Sequence, residues 1–186
     1  MYLSMLRSSN LIPISHGLVD TQRQLTWKQI IRYDDGIVIR VTLSKTIQFS
    51  QRVHEVAIAS SPNSTFCPVR ALDKLIELRG ADNCAGDSLV FAVPGAGERW
   101  VPLTKTVAAA MLEQQISGMG LDPAKYRFHG FRHGSLQAAV LVEPSLEIIR
   151  VQSDHLSDAI HAYTSLPGHK RFGVSTSLLA RLNNNI

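Results

Sequence analysis

The chain has little cysteine, few aromatic residues and no long apolar stretch. Its 186 residues include two cysteines, Cys67 and Cys84, at a separation that matches no common metal-ligand spacing. A disulfide framework and a zinc site are therefore both unexpected, and a reducing compartment is favoured. The sequence also lacks a run of about 18 apolar residues and the charged-then-apolar start of a secretory signal. These absences predict a protein that neither spans a membrane nor is secreted.

The composition is that of one globular domain with a modest basic excess. Hydrophobic residues make up 45% of the chain, which is enough for one good core in a single domain spanning residues 1–186. The formal charge of +4 and the pI near 9.3 favour an acidic partner such as nucleic acid. Because many proteins share an excess of this size, charge alone does not establish such a partner.

The hydrophobic periodicity changes along the chain and predicts a mixed fold. Residues 25–59 contain LTWKQIIRY, IVIRVTL and VHEVAIA, with a turn signal at Gly36 between the first two, and so predict three antiparallel strands. Apolar residues at helical spacing follow Pro68, and Thr104 is a candidate cap for a further helix. We therefore predict an α+β fold, mainly helical, with a small three-stranded antiparallel sheet packed on helices.

The two ends of the chain have different helical signals. MYLSMLRSSNLIP has apolar residues at helical spacing as far as Asn10 and Pro13, which indicates the last turns of a helix whose beginning is missing. This pattern suggests an N-terminally truncated chain. At the other end, a tail of residues 164–186 contains SLLARLNN, a candidate short helix that needs a docking surface to be stable.

A group of potentially reactive side chains lies between residues 129 and 163. His129 and Arg132 are three positions apart on a predicted helix, so they share one face and can bind a single anion such as phosphate. His155 and Tyr163 follow, and Tyr163 offers a hydroxyl nucleophile. Taken singly, each histidine is more often structural or exposed, and the tyrosine is more often a core residue. Their occurrence together and in order is what favours a shared site.

Two basic residues earlier in the chain each have a structural and a functional interpretation. Arg7, near the end of the predicted N-terminal helix, is either a capping arginine or a phosphate ligand. Lys45, in the polar connection SKTIQFSQR between the second and third strands, is either a solvated hairpin lysine or the donor of a proton to a substrate oxygen.

Phrases spread over nearly the whole chain resemble those of a known family. They are LRSSNLIP, LTWKQI, LSKTIQFSQR, CPVRAL, GLDPAKYRFHGFRHG and SDHLSDAIHAY. With them the chain resembles the catalytic domain of a tyrosine recombinase of the phage integrase family, and is most similar to integrases of eukaryotic mobile elements of the Crypton and DIRS types. The interval of 23 between positions 132 and 155 is typical of that family. The resemblance implies the tyrosine recombinase catalytic-domain fold and a catalytic set of Arg7, Lys45, His129, Arg132, His155 and Tyr163.

The resemblance also implies a reaction, namely DNA recombination or integration without a metal or a nucleotide cofactor. Tyr163 would attack a DNA phosphate to form a 3′-phosphotyrosyl link while Arg7 and Arg132 bind the non-bridging oxygens. His129 would act as general base and Lys45 would protonate the departing 5′ oxygen. The remaining histidine, at position 155, would hydrogen-bond the phosphate.

Binding to double-stranded DNA would depend on further basic residues and on assembly. We predict phosphate contacts from Lys28, Arg40, Arg52, Lys105 and Arg127. In the family a separate core-binding domain encloses the duplex, and no segment of this chain corresponds to it. The terminal helix of such enzymes docks on a neighbouring subunit, which suggests a homotetramer on DNA. Location would be nuclear if the source is eukaryotic and cytoplasmic otherwise.

Two alternative functions stay open at this stage. One is a degenerate or domesticated recombinase remnant that binds DNA without cleaving it. The other is an enzyme similar to type IB topoisomerases, which share the tyrosine chemistry.

Overall fold

The fold combines α-helices with two small antiparallel sheets. The computed structural model describes residues 2–44, 47, 52–142, 145–154 and 168–184. The α-helices within this part of the chain are α1 (Pro68–Arg79), α2 (Lys105–Gly118), α3 (Phe128–Val142), α4 (Leu146–Ser153) and α5 (Gly168–Asn184). The strands are β1 (Ile30–Tyr33), β2 (Gly36–Val41), β3 (His54–Ala59), β4 (Ala92–Pro94) and β5 (Trp100–Pro102). Among the described helices, none is both long and apolar enough to cross a bilayer.

The larger sheet has the order β1-β2-β3, and all its pairs are antiparallel. Ile39 at its centre lies opposite Ile30 on one side and Val56 on the other. The first residue of β2 is glycine because the backbone passes so close to β3 there that an added Cβ would overlap the carbonyl oxygen of Ile58. The three strands predicted from alternating residues are therefore confirmed.

Both faces of this sheet are buried. Alternate residues of β2 and β3 point to opposite sides, and each side packs in its own apolar cluster. One face forms the main core, against which α1 packs its apolar stripe. The buried members of that core are Leu6, Leu11, Ile12, Leu25, Ile37, Ile39, Val41, Ile47, Val56, Ile58 and Val90. Burying such a set is the largest favourable contribution to folding, at about 1.5–3 kcal/mol for each large apolar side chain.

Helix α5 covers the opposite face of the same sheet. Phe172 and Leu179 pack on Val38 and Ala59, which are buried on that side. In addition, Ser175 Oγ accepts a hydrogen bond of 2.7 Å from the backbone N–H of Ala59. The C-terminal helix is thus longer than SLLARLNN predicted, and its docking surface is the sheet of its own chain.

A third apolar cluster attaches the N-terminal segment to the helices. Met5 is fully buried there against Ala139 of α3, Ile149 of α4 and Leu178 of α5. Because Arg7 follows Met5 closely, this packing fixes where the segment that contains Arg7 can lie.

A buried arginine, Arg79, links α1 to the smaller sheet and to the residues just before it. Arg79 donates from Nη1 to the carbonyl oxygens of Leu89 and Val90, at 2.8 and 2.9 Å. Its guanidinium lies over the rings of Trp27 and Trp100, 5.9 and 5.2 Å from their centroids. Desolvation by burial lowers the pKa of Arg79.

The structure also corrects one prediction about the chain's start. Residues expected to form the last turns of an α-helix instead form turns and a single 3₁₀ turn at Ser8–Asn10. Arg7 precedes that turn in an extended conformation. The helical spacing of apolar residues misled because Met5 has a φ of 52°, which interrupts any right-handed helix at that point.

Candidate functional site

A solvent-open cleft of about 630 Å³ lies between the N-terminal segment, α2 and the start of α3. Its lining consists of Arg7, Ser8, Ser9, Lys105, Ala109, Leu112, Glu113, Pro123, Ala124, Tyr126, Arg127, Phe128, His129 and Arg132. The four residues from α2 are spaced i, i+4, i+7 and i+8, so they form one face of that helix. The cleft therefore has one helical wall and two walls made by chain segments distant in sequence.

The charge of the lining is strongly positive. Arg7, Lys105, Arg127 and Arg132 contribute four positive charges, and Glu113 contributes one negative charge, so the net charge is +3 with a neutral histidine. The residues Lys105, Arg127 and His129 are exposed in this cleft, whereas Arg132 is buried in its wall. Such a concentration of cations in a concave surface attracts anions, because solvent screens charges less in a cleft than on an open surface.

Arg132 joins three segments behind the cleft surface. Its side chain is buried, with Nη1 donating to the Met5 carbonyl and Nη2 donating to the Ser153 carbonyl, the latter at 2.6 Å. Desolvation and the nearby Arg7 lower its pKa to about 10, while Asp154 acts in the opposite direction. Arg132 is therefore still protonated at neutral pH. It holds the N-terminal segment and the end of α4 against α3.

Two residues next to this guanidinium have left-handed backbone conformations. Met5 has a φ of 52° and Asp154 a φ of 54°, and among the described residues they are the only non-glycine residues with positive φ. Met5 supplies one of the carbonyls that accept from Arg132, and Asp154 directly follows Ser153, which supplies the other. Strained backbone of this kind is enriched at functional sites.

The carboxylate of Asp154 lies behind the cleft and is almost fully buried. It accepts from Arg52 through Oδ1, and its Oδ2 lies 3.9 Å from Arg7 Nη1 and 3.5 Å from Ser44 Oγ. Asp154 was not among the predicted site residues. Its signal in the sequence is an aspartate directly after an amphipathic helix, where the left-handed conformation that ends a helix is tolerated by aspartate better than by most residues.

Three of the six predicted catalytic residues are within the described part of the chain. Arg7, His129 and Arg132 all line the cleft, although Arg7 comes from the opposite end of the sequence. Lys45, His155 and Tyr163 lie outside the described residues.

The residues that directly precede two of those positions can be placed. Ser44 precedes Lys45, and Asp154 precedes His155. The hydroxyl oxygen of Ser44 lies 3.5 Å from Oδ2 of Asp154. Helix α4 ends at Ser153, so the preceding helix stops just before position 155. Ser44 and Asp154 are therefore neighbours, and Asp154 also lies beside Arg7.

The predicted DNA-contacting residues divide into two groups. Lys105 and Arg127 line the cleft. The other three form ion pairs: Lys28 pairs with Asp87, Arg40 with Glu55 and Arg52 with Asp154. The first two of these pairs are exposed, but the side chain of Arg52 is only 14% exposed. Its largely buried pairing with Asp154 differs from the exposed phosphate contact that we predicted.

Comparison with known proteins gives no relative from which a function follows. No family model matches the chain, and no match was found among curated proteins or among solved structures. Within the part of the chain that the structure describes, no group of three or more histidine, cysteine, aspartate or glutamate side chains could hold a metal ion.

Proposed function

We propose that this chain is the catalytic part of a tyrosine recombinase that cleaves and rejoins DNA through a 3′-phosphotyrosyl intermediate. The observation that supports the proposal most directly is the convergence of Arg7, His129 and Arg132 on one basic cleft. These are the residues that the resemblance assigns to phosphate binding and proton transfer. The finer fold assignment, to the tyrosine recombinase catalytic domain, belongs to the same proposal.

The cleft offers what a phosphodiester cleavage needs first, which is stabilisation of negative charge on the phosphate. Arg7 faces the cleft with a partly exposed side chain, so its planar guanidinium can donate to two oxygens of one phosphate. Arg132 adds a fixed positive charge in a partly desolvated wall, where its electrostatic effect is stronger than in water. Lys105 and Arg127 extend the positive surface for neighbouring phosphates of the strand.

The covalent step is a transesterification at phosphorus. The oxygen of Tyr163 forms a bond to phosphorus and the bond to the 5′ oxygen breaks, so the phosphate remains a diester. His129 takes the phenolic proton, and Lys45 gives a proton to the 5′ oxygen. His155 donates a hydrogen bond to the phosphate. Reversal of the step with a 5′ hydroxyl from another strand rejoins the DNA and requires no nucleotide cofactor.

The test uses a nicked suicide duplex, in which the short strand released by cleavage diffuses away and traps the covalent adduct. We expect an adduct that resists denaturation, is lost in Tyr163→Phe and is retained in Tyr33→Phe. Tyr33 is the matched control because it lies on β1, outside the cleft, and is 54% exposed. An adduct that survives in Tyr163→Phe would show that another residue is the nucleophile.

DNA binding without cleavage is the second candidate function. It is favoured by Arg132, which is 3% exposed and already donates to two main-chain carbonyls. Absence of an adduct on a duplex that is shown to bind would support this alternative. Relaxation of supercoiled plasmid without joining between molecules would instead support a function similar to type IB topoisomerases.

Assembly and location are proposed on the resemblance alone. The proposed partner is double-stranded DNA, with a homotetramer as the active assembly and the nucleus as the location in a eukaryote. Because α5 packs its buried face on the sheet of its own chain, a tetramer linked through that same face would require α5 to leave the sheet. Sedimentation of the protein with and without duplex DNA tests this assembly.

A further inference from the structure

We propose that Asp154 is a built-in counterion of the cleft, which stabilises its arginines when no substrate is bound and competes with a phosphate for them. The inference deepens the proposed function and rests on its first step, the binding of a phosphate in the cleft. It concerns the residue behind the cleft wall rather than the residues that face the ligand.

The geometry places one carboxylate among three guanidinium groups. Asp154 is hydrogen-bonded to Arg52 and lies 3.9 Å from the nearest nitrogen of Arg7. It also acts electrostatically on Arg132, where it opposes the lowering of the pKa. The side chain of Asp154 is only 4% exposed, so solvent does little to weaken these interactions.

The three guanidinium groups repel one another when this carboxylate is absent. For one pair of them the effect acts on Arg132, whose pKa is lowered by desolvation and, to a smaller extent, by Arg7. A buried charge that loses its partner destabilises a fold strongly. A negative charge at position 154 therefore stabilises the empty cleft.

Arg7 is the residue that the carboxylate and a ligand would share. Its side chain is 28% exposed and lines the cleft, whereas Asp154 lies behind it and is absent from the lining. A separation of 3.9 Å is at the outer limit of an ion pair, and the partly exposed side chain of Arg7 is still accessible from the cleft. A phosphate in front of Arg7 and the carboxylate behind it thus compete for the same cation.

The experiment compares Asp154→Asn with Asp154→Gly, using inorganic phosphate as the probe at constant ionic strength. Asparagine keeps the shape of the side chain and tolerates the left-handed backbone, and glycine adopts that backbone freely. Both remove the charge. We expect both variants to unfold at a lower temperature without phosphate, to bind phosphate about three- to tenfold more tightly by calorimetry, and to gain more thermal stability from it than the wild type does.

The matched control is Asp73→Asn, which removes one negative charge from α1, where Asp73 forms an exposed ion pair with Arg32 of β1. We expect its phosphate affinity to equal that of the wild type. An equal increase in Asp73→Asn would overturn the proposal, because the effect would then come from overall charge.

Two other results would also overturn it. One is unchanged or weaker phosphate binding in both position-154 variants, which would leave Asp154 with a structural role alone. The other is no phosphate binding by the wild type or by either variant. Failure of the proposed function has a separate readout. It would appear as the absence of a covalent adduct between the wild-type protein and the suicide duplex, which does not depend on these affinities.

Discussion

Replacing Arg132 by methionine tests both the structural role of this residue and its contribution to the charge of the cleft. Methionine has a similar length but cannot donate, so the carbonyls of Met5 and Ser153 lose their partner. The change also removes one of four positive charges from the lining. Both stability and anion affinity should therefore fall.

The size of the stability loss can be estimated from the two hydrogen bonds. Hydrogen bonds to charged groups contribute about 1.5–3 kcal/mol each, which gives about 3–6 kcal/mol for the pair. Relief of desolvation and of the repulsion from Arg7, the causes of the lowered pKa of Arg132, acts in the opposite direction. We expect a net decrease of about 2–4 kcal/mol in the free energy of unfolding, or about 5–15 °C in Tm for a chain of this length.

The assay is urea and thermal denaturation followed by circular dichroism, with Arg127→Met as the matched control. Arg127 lines the same cleft but is exposed, so its replacement should change stability by no more than about 0.5 kcal/mol. Both variants should bind inorganic phosphate more weakly than the wild type. If Arg132→Met were as stable as Arg127→Met, the bridge from α3 to the N-terminal segment and α4 would not stabilise the fold, and the reasoning would be refuted.

Three further predictions concern the sheet, the second buried arginine and pH. Gly36→Ala should lower the free energy of unfolding, measured by urea titration, by more than about 2 kcal/mol, because the new Cβ would overlap the backbone of β3 and lie 2.9 Å from Phe172. Gly17→Ala, which has open space around it, should be neutral in the same titration. Arg79→Met should cost about 3 kcal/mol, measured by thermal denaturation, since buried carbonyls would lose a charged donor. Phosphate affinity should fall as pH rises through about 10, because Arg132 loses its proton there. The fall should be smaller in Arg132→Met, and identical pH profiles for the variant and the wild type would contradict the lowered pKa.

The sequence predicted best those elements whose residues alternate or repeat over several turns. The strands around Gly36 and the helix after Pro68 follow such local patterns, and the helix capped by Thr104 is confirmed by a hydrogen bond from the backbone of Val107 to its hydroxyl. Local chemistry was sufficient at these places because each element's own side chains specify it.

The predictions failed where distant segments decide the conformation. The left-handed backbone at Met5 depends on packing against α3, α4 and α5, which no N-terminal pattern encodes. Strand β5 was missed because it has only three residues, too few for a periodic signal. The convergence of Arg7 and His129 was predicted only from the resemblance, because residue spacing cannot relate positions so far apart in the sequence.

The position of α5 in the core has a consequence for folding during synthesis. The sheet face containing Val38 and Ala59 stays uncovered until α5 leaves the ribosome, and Met5 also lacks one of its contacts, Leu178, until then. The segment that contains Met5 thus reaches its native position only after α5 has been synthesised. A nascent chain arrested before residue 168 should accordingly be a good substrate for chaperones and unable to assemble the cleft.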